Sequence, residues 1–77
     1  MIYSSHYWID AIALEPINNH EIVVLEKNKD NKFTIRHANN ENDWLYNQAA
    51  YVNDFEYADK IPSGCTCRCL IVNVLIK

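Results

Sequence analysis

Apolar and polar residues alternate over several short stretches of this chain, and this alternation predicts β-strands. The clearest case is Phe33–His37, where large apolar or ring side chains alternate with Thr and Arg. A second strand is predicted for Glu21–Lys27, whose centre is a run of β-branched and aliphatic residues. Asn28–Asn31 between them predicts a hairpin turn, because Asn and Asp tolerate the positive φ that such turns need. Pro16–His20, which contains an Asn-Asn pair, is predicted to be a loop.

Two further strands are predicted towards the ends of the chain. Tyr7–Leu14 carries bulky apolar residues at both parities, which favours a strand. A short helix capped by Ser4 or Ser5 and ended before Pro16 is the alternative for this segment. Cys65–Ile76 is apolar over most of its length and predicts the last strand.

The middle of the chain predicts a helix. An Asn-rich segment with acidic residues precedes it, and Asn caps helices while acids in the first turn complement the helix dipole. We predict that this helix runs from about Glu41 to Tyr57. One side of it would collect a mostly apolar stripe facing the core. That stripe consists of Trp44, Leu45, Gln48, Val52 and Phe55.

The order of these elements predicts the fold class. Three strands, one helix and one strand in one 77-residue domain, residues 1–77, indicate an α+β protein. We expect a four-stranded, mainly antiparallel sheet (β-β-β-α-β) with the helix packed on one face. The last strand could lie beside the first or at an edge, and the pattern does not decide between them.

The predicted sheet has more apolar surface than one helix can cover. Its last strand is apolar on both faces, and the first two strands nearly so, whereas a sheet with one solvated face alternates apolar and polar residues. A second copy of the chain, forming a homodimer through the uncovered face, or a partner protein would shield the rest. Alternatively, Met1–Ser5 folds over that face, or the strand registers differ from those assumed.

The three cysteines of the last strand are candidate metal ligands or redox groups. Residues at every second position of a strand share a face, so Cys65, Cys67 and Cys69 lie in a row about 6.5–7 Å apart at Cα. Such a row diverges, whereas a zinc site needs about four converging ligands. Reduced cysteine is among the most buried residue types, so packing in a core or interface is favoured over a metal or redox site.

Composition and charge exclude several classes of function. The net charge is −3, which argues against nucleic-acid binding because phosphate contacts need excess Lys and Arg. No run approaches the roughly 18 apolar residues of a membrane span, and no secretory signal is visible. Three cysteines clustered within five positions are not a disulfide framework, which favours a reducing cytoplasm.

Motifs for catalysis are absent from the sequence. A single Gly excludes a glycine-rich phosphate loop, and no nucleophile, histidine and acid occur at a distinctive spacing. His37 is interpreted as a satisfied histidine at the edge of the core rather than a catalytic base, and His20 as a solvated loop residue. We therefore expect a non-enzymatic protein without a cofactor.

The predicted helix offers a second candidate contact surface. Opposite its core stripe lie tyrosine, asparagine and acidic side chains, and tyrosine supplies contact area at a small entropic cost. The residues from Glu41 to Asp59 include five acids and no Lys or Arg, which would steer the protein towards a basic partner surface. The predicted partner-binding residues are Tyr46, Asn47, Asn53, Asp54 and Tyr57.

The general character of the chain suggests a class of function. Its small size, acidity and high asparagine content resemble the small phage inhibitors of host defence, such as anti-CRISPR proteins, which share no common motif. This resemblance implies a phage or mobile-element protein that binds another protein and occludes its surface. The alternatives are a metal- or redox-responsive protein that uses Cys65, Cys67 and Cys69, or an antitoxin or immunity protein.

Overall fold

The computed structural model describes residues 7–72, which form seven strands and one short helix. Five of the strands are four to seven residues long, and the other two have two residues each. In chain order the elements are β1 (Trp8–Ala13), β2 (Ile17–Asn18), β3 (Ile22–Lys27), β4 (Phe33–Arg36), α1 (Asn42–Tyr46), β5 (Gln48–Val52), β6 (Lys60–Ile61) and β7 (Thr66–Val72).

The five longer strands close into a barrel in the order β1-β4-β3-β5-β7. Neighbouring strands are antiparallel except β1 and β4, which pair in parallel through Ile12–Thr34 and Ala13–Ile35. The last strand lies between β1 and β5. The predicted open, four-stranded α+β sheet is therefore wrong, because the first strand joins the third long strand and closes the sheet on itself.

The barrel interior is filled by small and branched side chains from alternate positions of its strands. A barrel of five strands has a narrow interior, so alanine, cysteine and valine suit positions where larger rings would clash. These interior residues are Ala11, Ala13, Val23, Leu25, Ile35, Ala50, Val52, Cys67, Cys69 and Ile71. Ile17 and Ile61 complete this core from the separate two-stranded sheet β2-β6, and both are fully buried.

Several predicted strands are confirmed with small changes at their ends. β1, β3 and β4 match the predicted strands, so the alternative of a short first helix is wrong for the described part of that segment. The turn is confirmed as well: Asn31 has φ 65°, and the Asn28 side chain accepts the N–H groups of Asp30 and Lys32. Residues 1–6, including the proposed caps Ser4 and Ser5, and residues 73–77 lie outside the described part.

The predicted helix from Glu41 to Tyr57 is wrong beyond its first turns. α1 ends at Tyr46, and Asn47 is extended, with φ −125° and ψ 161°. The following residues form β5, which pairs with β3 on one side and β7 on the other. Two ladders of hydrogen bonds and the burial of Ala50 and Val52 outweigh the local helix preference of this segment.

Helix α1 is attached to the outside of the barrel through Arg36. The guanidinium donates from Nε and Nη2 to Glu26 at 3.0 and 3.1 Å, and from Nη1 and Nη2 to Asp43 at 3.0 and 2.9 Å. These bonds, with a hydrogen bond from the Asn39 N–H, lower the pKa of Asp43 to about 2. Bidentate pairs of this kind fix orientation, so α1 has a defined position against β3 and β4.

Closure of the barrel removes the basis for the expected homodimer. An open sheet has two broad faces that need cover, whereas in a closed barrel one face becomes the core. The cysteine face of β7 points inward, as Cys67, Cys69 and Ile71 show, and Arg68 and Leu70 point outward. What remains for a partner is the outer surface of the barrel.

Candidate functional site

The cysteines of β7 are core residues. Cys67 and Cys69 are buried in the barrel with their Sγ atoms 3.9 Å apart, and half-buried Cys65 packs against the same core. The predicted shared face is confirmed. Within residues 7–72, no group of three or more His, Cys, Asp and Glu side chains is arranged to hold a metal ion.

Burial also opposes thiol chemistry at this pair. The two thiols share a hydrogen bond, which lowers the pKa of Cys67 and, together with burial, raises that of Cys69. A thiol reagent must also reach the sulfur, and both side chains are at most 1% exposed. Neither cysteine is therefore suited to act as a nucleophile in the folded protein.

We expect Cys67 and Cys69 to be protected from thiol reagents until the protein unfolds, whereas Cys65 should react in the native state. The measurement is the time course of Ellman's reagent on native and urea-unfolded protein. The Cys65→Ser variant is the control and should remove the native-state reaction. Fast reaction of all three thiols in the native protein would favour the redox alternative.

The predicted partner-binding residues do not share one surface. Tyr46 ends α1 and is 83% exposed, and Asn47 follows it in extended conformation. Asn53 and Asp54 lie beyond β5, and Tyr57 packs partly against the core. Burial and a hydrogen bond with Cys65 raise the pKa of Tyr57. The helical face that joined these residues does not exist, because the chain leaves the helix at Asn47.

His37 connects three parts of the chain. Its ring Nδ1 lies 3.1 Å from Glu15 Oε2, and its ring Nε2 lies 3.2 Å from Glu21 Oε2. The backbone N–H of His37 also donates to Glu15 Oε2, at 2.8 Å. That N–H is the main reason why the pKa of Glu15 is lowered. Each ring nitrogen lies within ion-pair distance of a carboxylate, so His37 links its own segment to Glu15 and Glu21.

A tightly held loop follows β5 and presents Phe55 to solvent. We call residues 53–57 the Phe55 loop. Asn19 Nδ2 donates to the carbonyl oxygens of Asp54 and Tyr57 at 2.9 and 2.8 Å, and Asn19 Oδ1 accepts the Asp54 N–H at 3.1 Å. One side chain from the β2–β3 connection thus satisfies three backbone groups of the loop.

Asp54 fixes the same loop from the other side. Its carboxylate accepts the N–H of Glu56 at 2.9 Å and the N–H of Arg68, on β7, at 2.9 Å. The Asn53 N–H also donates to the Arg68 carbonyl at 3.0 Å. Phe55, which the helix prediction placed in the core, is instead 92% exposed at the tip of this loop. A large apolar ring is therefore displayed on a backbone with little freedom.

An apolar row crosses the outside of the barrel beside this loop. Ile22, Tyr51, Leu70 and Trp8 stand opposite one another on four neighbouring strands, β3, β5, β7 and β1. Trp8 is 42% exposed and Ile22 38%. In β1 and β5 the interior parity is taken by small residues, Ala11, Ala13 and Ala50, and the bulky Trp8 and Tyr51 lie on the opposite parity.

Arg68 and Asp10 connect the row to the Phe55 loop. They are opposite residues on β7 and β1, and the Arg68 guanidinium lies over the Trp8 ring, with Cζ 5.0 Å from its centroid. A groove of about 420 Å³ runs from this pair to the loop, lined among others by Asp10, Asp54, Phe55, Glu56 and Arg68. Trp8, Asp10, Phe55, Glu56, Arg68 and Leu70 are called the contact face below.

Sequence reasoning placed Asp54, which lines the groove, in a binding surface but missed the residues of the contact face. A signal for Trp8 and Asp10 was present, because they share the parity opposite to Ala11 and Ala13. Small residues at alternate positions indicate the inside of a narrow barrel. Phe55 had no such signal, since its exposure depends on the loop that replaces the predicted helix.

Comparisons with known proteins do not assign this chain. No protein-family model matches it, and neither a curated protein nor a solved structure does. No helix within residues 7–72 is long and apolar enough to cross a bilayer. The proposed function therefore rests on the geometry of the described residues.

Proposed function

We propose that this protein is a non-enzymatic protein-binding module that occludes a surface of its partner through the contact face. The observation that carries the proposal is Phe55, an apolar side chain 92% exposed on a loop held by Asn19 and Asp54. Exposing such a ring to water costs solvation free energy, and the bonds that hold the ring in one place do not pack it into the core. A partner that buries the ring would recover that solvation free energy and would not have to order the loop.

The physical advantage of a fixed loop is entropic. Association loses free energy for every side chain and loop that must be ordered, and a loop ordered beforehand avoids that loss. The contact face also has the composition of a binding hot spot, since it contains Trp8, Phe55 and Arg68. Tryptophan and arginine are enriched in hot spots, and aromatic residues concentrate at the centres of interfaces. Trp8 and Arg68 stack on each other, which reduces their freedom further.

The specific form of the proposal is an inhibitor encoded by a phage or mobile element and acting in the cytoplasm, like the anti-CRISPR proteins. Its support is the small size, the acidity and the asparagine-rich composition of the chain. An antitoxin or immunity protein would use the contact face in the same way. Steric occlusion of a partner needs one well-formed surface and no catalytic group.

The test compares two exposed aromatic residues. Tagged wild-type protein, Phe55→Ala and Tyr46→Ala are used for affinity purification from the native host, and the co-purifying protein is quantified. We expect the amount of co-purifying partner to fall at least about tenfold with Phe55→Ala, as it does when a hot-spot residue is truncated. Tyr46→Ala should retain the wild-type amount. Both variants should keep the wild-type melting temperature, because both side chains are largely exposed.

Two outcomes would contradict the proposed face. Retention of the partner by Phe55→Ala at the wild-type level would exclude the Phe55 loop from the contact. Loss of the partner with Tyr46→Ala instead would move the contact to α1, where the sequence analysis placed it.

A further inference from the structure

We infer that the partner presents a lysine or arginine next to an apolar side chain, and that this pair of side chains occupies the groove of the contact face. The inference rests on the proposed function and names the chemistry of the partner. It follows from the arrangement of charge and aromatic surface around the groove, as described in the next paragraphs.

The groove is lined by more negative than positive charge. Three carboxylates border it, from Asp10, Asp54 and Glu56, against the single guanidinium of Arg68. The Asp54 oxygens already accept the N–H groups of Glu56 and Arg68. Within residues 7–72, by contrast, the Asp10 and Glu56 side chains neither accept a hydrogen bond nor pair with a cation, and both residues are exposed. These two carboxylates are the groups that a cation from a partner would meet.

Arg68 does not supply that cation. Its guanidinium lies over the Trp8 ring, with Cζ 5.0 Å from the centroid. Within residues 7–72, no carboxylate lies within ion-pair distance of this guanidinium. Stacked in this way, it extends the aromatic surface of Trp8 and borders the groove. The negative potential at Asp10 and Glu56 is then available to a charge that comes from outside.

The apolar half of the partner follows from the apolar side chains in and beside the groove. Phe55 lines the groove. Trp8 borders a neighbouring depression together with Asp10 and Arg68, and Leu70 stands opposite Trp8 in the apolar row. An apolar side chain of the partner would cover these rings while the neighbouring Lys or Arg reaches the carboxylates. The same carboxylates would repel a phosphate backbone, so the surface favours a protein over a nucleic acid.

The experiment selects ligands for the intact protein from displayed random peptides of about twelve residues. We expect the selected peptides to be enriched in Lys or Arg adjacent to an apolar residue. Their affinity should fall at least about tenfold in the Asp10→Asn/Glu56→Gln variant and should weaken as salt increases. The matched control is Asp30→Asn/Glu41→Gln, which removes the same charge from the hairpin turn and the start of α1 and should leave the affinity unchanged.

The outcomes separate this inference from the proposed function. Peptides that require Phe55 but carry no basic residue, or that bind the Asp10→Asn/Glu56→Gln variant at wild-type strength, would overturn the basic partner and leave the contact face in place. Peptides that bind equally to Phe55→Ala would overturn both. If no peptide is enriched over an unrelated immobilised protein, the groove does not accept a basic segment and the inference is wrong.

Discussion

Replacing Ile61 with alanine is expected to lower the free energy of unfolding by about 2–5 kcal/mol, the range measured for truncating a buried isoleucine or leucine. Ile61 is fully buried and stands opposite Ile17 in the two-stranded sheet β2-β6, where the pair completes the core of the barrel. Rigid barrel walls cannot collapse into the space that the side chain leaves. A domain of this size has a total stability of the same order, so the variant should be close to unfolding.

The measurement is urea unfolding followed by circular dichroism, with Ile22→Ala as the control. Ile22 is the same residue type in a strand but is 38% exposed, and its truncation should cost less than about 1 kcal/mol. If Ile61→Ala does not fold, Ile61→Val, with an expected loss of about 0.5–1.5 kcal/mol, tests the same site. Equal losses for Ile61→Ala and Ile22→Ala would mean that β2-β6 does not belong to the core.

The core positions of Ile17 and Ile61 could not be predicted from the sequence. Residues Pro16–His20 read as a loop because proline and two asparagines surround one isoleucine, and Ile61 stands alone before a proline. A two-residue strand has no period, so no pattern can indicate it. Its strand character comes from a partner more than forty positions away. Four of the longer strands, in contrast, carry a local signal, which is alternation in β4 and a run of apolar or β-branched residues in β1, β3 and β7, and they were predictable from it.

The missed barrel and the false helix have one physical origin. Nothing local stops the helix that begins near Asn42, since Gln48, Ala49 and Ala50 are compatible with a helix or a strand. What decides is the pairing of β5 with β3 and β7, whose residues are distant in sequence. Likewise, closure depends on the parallel contact between β1 and β4, which is a property of the assembled sheet.

The contact face was predictable in part. Its negative charge and the presence of Asp54 in the groove beside it could be expected from composition, because acids outnumber basic residues from Glu41 to Asp59. The role of Asp54 differs, however, since its oxygens hold the backbone of the Phe55 loop instead of facing a partner. The rings that carry the proposal, Trp8 and Phe55, are exposed for reasons that appear once the barrel and its loop are known.

Asn19 links the fold to the proposed function, and its replacement by alanine should affect both. The side chain makes three hydrogen bonds to backbone groups of Asp54 and Tyr57. A hydrogen bond contributes about 0.5–1.5 kcal/mol, and partners left without water cost more, so we expect Asn19→Ala to lower the free energy of unfolding by about 2–4 kcal/mol. In a domain of this size that corresponds to a fall in Tm of at least about 8 °C.

A lower free energy of unfolding alone would not distinguish Asn19 from a core residue. The second measurement is therefore amide hydrogen exchange at individual residues of the Phe55 loop and its neighbours. Freed from Asn19, the Phe55 loop should exchange its amide hydrogens faster at Tyr57 and at Arg68, whose N–H donates to Asp54, while the β3–β4 hairpin keeps wild-type protection. Asn18→Ala, next in the chain but exposed, is the matched control and should change neither quantity. The loss of a preordered loop should also weaken partner binding in Asn19→Ala while Phe55 itself is intact. Unchanged exchange at Tyr57 and Arg68 would mean that the loop is held without Asn19, and the entropic argument for the contact face would then lose its basis.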